Sequence, residues 1–228
     1  MSDELGAVCV SRQKKRVFGL TKKTTGRIVW GVTRRARAED TRQMLLDEGV
    51  SMLIEQGYHG TGVKEVLDKV GVPKGSFYNY FESKEQFGAE VIQHYAQQIV
   101  ENMRAWLGKP KGDALSVLKR FFRAEIRRHD QEGWQGCLIG NLGAELGDSK
   151  KLCQKAMAQG LKGMEGQLVS VLTRAQEQGT VRSDITAAEL GNFLLNAYEG
   201  ALLRMKVEMS VEPLRKFETV VVEGLLRA

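Results

Sequence analysis

From Asp40 onward the apolar residues recur at the three- and four-residue spacing of amphipathic helices, and no stretch alternates as a half-buried strand would. An all-α chain is therefore expected. Leu45, Gly49, Met52 and Leu53 mark one face of a first helix, which a capping box of Asp40 and Gln43 would open and Gly57 would close. Val63, Val66, Leu67 and Val70 mark a second, with Thr61 placed as its N-cap. Gly71 stands where a left-handed residue ends such a helix, and Pro73, which has no N–H to donate, suits the start of the next. That third, short helix over 74–80 would bury Phe77 and turn Lys74, Ser76, Tyr78, Asn79 and Tyr80 outward, with Phe81 buried one turn on. Ser83 and Gln86 form a capping box for a long helix to about residue 108, along which Phe87, Val91, Tyr95, Ile99, Met103 and Trp106 or Leu107 make one stripe.

After a break at Lys109, Pro110 and Gly112, Leu115, Leu118, Phe122, Glu125 and Ile126 predict another amphipathic helix. In the segment GCLIGNLGAELG, Gly136, Gly140, Gly143 and Gly147 would share one side of a helix. Each glycine costs a helix about 1 kcal/mol relative to alanine, so this helix would be weak, held by packing and suited to act as a hinge. Two longer helices follow, over 149–178 with Ala156, Gly160 and Gly163 on one face, and over 186–208 with Ala197, Gly200 and Ala201 on one face. Small residues let backbones approach closely, either inside one subunit or between two. Pro213 then opens a last helix through Phe217, Val220, Val221, Gly224 and Leu225.

Length and composition fit this pattern: 228 residues, 42% apolar, suffice for one or two domains with a real core. No apolar run is long enough to span a membrane and no secretory leader opens the chain, so a cytoplasmic protein is expected. Cys9, Cys137 and Cys153 are odd in number and widely separated, which argues for reduced thiols rather than a disulfide framework. His59, His94 and His129 lack a second ligand at metal-binding spacing, so neither a metal nor a cofactor is indicated. Charge changes the picture more. The whole formal net charge of +6 falls within the first forty residues, since the remainder is balanced. Residues 1–39 read either as a flexible basic arm adding salt-sensitive phosphate affinity or as an extension without a role.

An exposed face carrying a cation, hydroxyls, an amide and phenols on a short helix after a tight turn is what a DNA major groove accepts. The residues GYHGTGVKEVLDKVGVPKGSFYNYFESKEQF resemble the N-terminal DNA-binding domain of TetR-family transcriptional repressors. The resemblance implies a helix-turn-helix domain over 40–90 and a helical ligand-binding and dimerisation domain over 91–228. It also implies that Lys74, Gly75, Ser76, Tyr78 and Asn79 meet bases or nearby backbone of a double-stranded operator, while Thr61, Tyr80 and Lys84 hold phosphates. Ala156, Gly160, Gly163, Ala197, Gly200 and Ala201 would then lie where two subunits form a four-helix bundle.

GWQGCLIGNLGAELG and YEGALLRMKVEMSVEPL resemble more narrowly the NemR- and AcuR-like branch, which answers to reactive electrophiles and acrylate-type compounds. This implies a sensing role for Cys137, with Trp134 beside it and Lys206 near enough to stabilise a thiolate. Phe121, Asn141 and Tyr198 would supply the rest of a pocket for an unsaturated aldehyde, a quinone or an oxidant such as hypochlorite. Two other classes compete with a ligand-released repressor. In a thiol enzyme Cys137 would be a nucleophile helped by His129 or Glu145, but nothing in the sequence places a base beside it. A protein-binding adaptor would use the glycine-faced helices and leaves Tyr78, Asn79 and Tyr80 unexplained.

Overall fold

The structure, a computed structural model, describes residues 34–108 and 112–228. Helix α1 (Arg34–Gly60) begins before the expected capping box, so Asp40 lies within it and residues 34–39 belong to the helix rather than to an arm. Residues 1–33, with Cys9 and most of the basic cluster, lie outside the described residues. At Gly57 (φ 71°, ψ −179°) the helical path breaks, as glycine permits, and residues 58–62 lead into α2 (Val63–Val70). A 3-10 helix, Lys74–Asn79, follows and is called the recognition helix below. The long α3 (Lys84–Leu107) comes next, then α4 (Ala114–Glu132), α5 (Leu138–Leu146), α6 (Lys151–Glu177), α7 (Ala187–Glu208) and α8 (Glu212–Phe217). No helix among the described residues is long and apolar enough to cross a membrane.

Caps set most of these boundaries. Ser83 Oγ accepts from the Gln86 N–H at 3.1 Å, while the Gln86 side chain reaches back to the N–H of Glu82 rather than that of Ser83. Asp113 accepts from the N–H of Ser116 at 2.8 Å and opens α4, and a complete Thr186–Glu189 box opens α7. The chain after α8 widens into a π-helical turn, Glu218–Leu225, which advances the register. Val221 and Val222 are buried while Val220 and Leu225 are exposed.

Helix α3 is the spine: it packs along α6 and meets α1, α4 and α5, so one helix joins the N-terminal helices to the C-terminal bundle. Its close approach to α6 depends on Gly160, where a Cβ would lie 2.7 Å from Ile139 Cδ1 and 2.9 Å from Ala96 Cβ. Gly163 faces Val100 in the same way, and Ala156 is 1% exposed. Ala156 and Gly160 thus serve packing within the subunit rather than the subunit interface that the family resemblance implied, and Gly163 is half-buried. Ala201, 8% exposed, is also buried inside the subunit. Gly160→Leu is accordingly expected to destabilise the fold by about 1–3 kcal/mol or more through overpacking. A urea unfolding curve should show the loss as a lower midpoint; an unchanged midpoint with dissociated subunits would restore the interface reading.

Candidate DNA-binding face and ligand cavity

The recognition helix is fixed from below. Val66 and Leu67 bury α2, and Gly71 ends it in the left-handed region (φ 74°, ψ 30°) with its N–H on the carbonyls of Leu67 and Asp68. Pro73 caps the recognition helix, whose i→i+3 bonds run from the Ser76 N–H to the Pro73 carbonyl and from the Tyr80 N–H to the Phe77 carbonyl, each 2.9 Å. Phe77 and Phe81 are buried against Phe87 with ring centroids 4.9–5.8 Å apart, so an aromatic cluster anchors the inner face. Outside, Lys74, Gly75 and Asn79 are exposed, Ser76 and Tyr80 are half-buried, and Tyr78 is 76% exposed. Lys84 stands at the first turn of α3 with its Nζ 4.7 Å from the centre of the Tyr58 ring, and burial lowers its pKa.

Thr61 does not join this surface. It is 2% exposed, its hydroxyl donates to the Gly57 carbonyl at 2.7 Å, and Gly62 rather than Thr61 caps α2. The break at Gly57 draws the side chain inward, so neither the capping nor the phosphate role expected of Thr61 is possible in this conformation.

A cavity of about 60 Å³ lies between α3, α4, α6 and α7, and the start of α5 closes it. Cys137, Phe121 and Tyr198 line it, as the sequence implied, together with Met103 from α3. It shares Tyr95, Ile99, Glu125, Arg128 and His129 with an adjoining cleft of about 160 Å³ that Trp106 borders. Trp134, Asn141 and Lys206 line neither space. Trp134 is 40% exposed, and Asn141 turns away to donate to the Gln135 carbonyl at 3.1 Å. Lys206 is exposed, with only its stem near Gly136.

The thiol has an acidic neighbour instead. Cys137 is the N-cap of α5, and in the first turn Glu199 Oε2 lies 2.9 Å from where a Cβ of Gly140 would stand. Burial first, then the hydrogen-bonded Glu199 carboxyl, pushes the Cys137 thiol up to about 12. Burial likewise raises Glu199. Tyr95 Oη approaches the sulfur at 4.0 Å. Because Gly136 (φ 76°) precedes the helix and Gly147 (φ 50°) follows it, only Gly140 and Gly143 lie inside α5, and the four glycines do not form one helical face.

The same cavity is lined by a polar cluster whose grouping the sequence did not indicate, although His129 and Tyr198 were named singly. Arg128 Nη2 donates to Glu125 Oε2 at 2.7 Å and lies 3.1 Å from His129 Nε2, while Tyr198 Oη donates to the same carboxylate oxygen at 3.5 Å. Burial and then the Arg128 charge lower His129 to about 4, so its neutral ring accepts from the guanidinium. Glu125 and His129 continue the apolar series of Leu115, Leu118 and Phe122 at helical spacing, and two polar groups on an otherwise apolar face were the available signal.

Residues 45–91 match the family model described as bacterial regulatory proteins, tetR family, and residues 114–221 match the tetracyclin repressor-like C-terminal domain. The HTH-type transcriptional repressor DhaR of Mycobacterium sp. (strain GP1) is 36% identical over 81% of this chain and 92% of its own length. Transcriptional regulator AcuR of Cereibacter sphaeroides is 32% identical over 77% of this chain and 80% of its own. The crystal structure of the reduced form of Escherichia coli NemR superposes with a TM-score of 0.78 at 27% identity, covering 83% of this chain and 98% of that one. With both domains matched in order and the recognition helix presenting its polar face to solvent, the chain belongs to the TetR family of transcriptional regulators and is not an enzyme.

Proposed function

We propose that the protein is a homodimeric repressor that grips a palindromic operator through Lys74, Gly75, Ser76, Tyr78 and Asn79 of each subunit and lets go when a small unsaturated electrophile reaches Cys137. The observation that carries the second half is the position of the thiol, in the wall of a cavity and at the N-cap of a helix, so an adduct must displace that helix end. Repressors named DhaR and NemR are among the relatives, which supports a repressor reading.

The chemistry differs from the thiolate that a neighbouring lysine would generate. At neutral pH Cys137 is a thiol, and oxidants that need a thiolate are disfavoured. Glu199 supplies an alternative: its carboxylate takes the thiol proton as Sγ bonds to the β-carbon of an α,β-unsaturated carbonyl compound. The C=C electron pair then collects the proton at the α-carbon, which returns Glu199 to its starting state. No oxidant or reductant is needed.

Cys137→Ser tests this reading. Serine is a better N-cap than cysteine, so the variant should fold and bind operator as tightly as the parent. Acrolein should release the parent from labelled operator and leave Cys137→Ser bound. Cys153, fully buried with its Sγ toward the Glu85 carbonyl, is the internal control, and Cys153→Ser should release normally. Release of Cys137→Ser at the parental acrolein concentration would remove the thiol from the account.

A further inference from the structure

The break in α1 leaves two backbone N–H groups, those of Tyr58 and His59, at the start of the segment that leads into the helix-turn-helix. A single side chain from the other domain takes both. Glu145, near the end of α5, accepts the Tyr58 N–H on Oε2 at 2.9 Å and the His59 N–H on Oε1 at 2.7 Å. Two charge-assisted bonds to consecutive amides fix position and direction together. The carboxylate also fills the space beside Gly57, where a Cβ would meet Oε2 at 2.5 Å, so the left-handed glycine and the clamp require each other. Beyond the break, the edge of the His59 ring meets Tyr58, and Tyr58 carries Lys84 on its face, so the held segment contacts the first turn of α3 as well.

The other end of α5 is the cavity wall. Cys137 caps its start and Gly140 abuts Glu199, so one nine-residue helix touches the cavity at its first turn and the base of the DNA-binding head at its last. A second carboxylate crosses the same boundary in the opposite direction: Glu85 of α3 accepts the Leu152 N–H of α6 at 3.0 Å. That contact ties the start of α6 to the start of α3, beside the Tyr58 ring.

We infer that Glu145 is a positioning residue that couples the cavity to the DNA-binding head by clamping the broken end of α1 to α5. Coupling of this kind is reciprocal: whatever the cavity does to operator affinity, operator does to the opening of the α5 start. Cys137 can therefore serve as a reporter of that opening, whether or not an electrophile is the natural signal.

The experiment uses the full chain with Cys9→Ser and Cys153→Ser, leaving Cys137 as the sole thiol, and measures its labelling rate by N-ethylmaleimide with and without saturating operator. Operator should change the rate about fivefold or more while Glu145 is present. In Glu145→Ala the ratio should fall to near one. Glu145→Gln, which retains an acceptor for only one of the two amides, should lie between. If Glu145→Ala no longer binds operator, a reduced ratio in Glu145→Gln carries the claim. A merely structural role would speed labelling with and without operator alike and preserve the ratio, and that result overturns the inference. So does a parent protein whose labelling ignores operator.

Discussion

Leu203→Glu is expected to yield a folded monomer whose operator affinity is lower by about a hundredfold or more. The outward side of α7 presents Phe193 (48% exposed), Leu203 (62%) and Val207 (74%), large apolar groups that a lone subunit gives to water. Gly200 lies on the same side with no atom within 4 Å of a Cβ built there, so a second backbone has room to approach. Phe193, Gly200 and Val207 repeat every seven residues, and Leu203 sits between the last two, which is the seam of a helix pair. A contiguous exposed apolar stripe of this kind marks an interaction surface. Two heads on one palindrome bind with an avidity of about 10²–10⁴ over a single head, and the variant forfeits that factor. Sedimentation velocity measures the mass and fluorescence anisotropy the affinity. A Leu203→Glu protein that stays dimeric would move the interface off this face, and Ala197 and Gly200 with it.

Tyr78→Ala should cost operator affinity about ten- to a hundredfold, the scale of one good base contact, while leaving the fold intact. The ring is 76% exposed and meets the protein chiefly through an edge contact with Phe77, centroids 5.4 Å apart, so its loss opens no cavity. Surface substitutions of this kind usually change stability by less than about 0.5 kcal/mol. Binding to scrambled DNA, which depends on phosphate contacts, should be nearly unchanged. Thermal unfolding and anisotropy on operator and scrambled duplexes separate these quantities. Parental affinity for the operator would take Tyr78 out of the interface.

Both experiments bear on how much of the molecule was legible in its residues. Local signals were sound at Gly71, Pro73 and Ser83, which mark element ends in the structure. They failed where two partners competed. Asp40 with Gln43 has the form of a cap, yet α1 runs through it. Thr61 precedes α2 as a cap should, yet the free carbonyl at the Gly57 break takes its hydroxyl.

Small residues at helical spacing report a close approach without naming the neighbour. Gly160 meets Ala96 and Ile139 of its own subunit, and only Gly200 among the six small residues proposed for the interface is both exposed and open in the single chain. The cavity was legible through its aromatic and thiol members. Its polar grouping was not, because Glu125 on α4 is joined by Tyr198 and the Cys137 thiol by Glu199, both from α7, and no spacing in the chain reveals either pairing.

The central claim is that operator release follows chemical occupation of the Cys137 cavity. The most direct measurement titrates acrolein into the repressor–operator complex and, in the same samples, reads bound DNA by anisotropy and adducts by peptide mass spectrometry. The account predicts that the released fraction rises in step with the adduct on Cys137 while Cys153 remains unmodified. Full release with Cys137 unmodified, or a fully modified Cys137 on operator still bound, would contradict it.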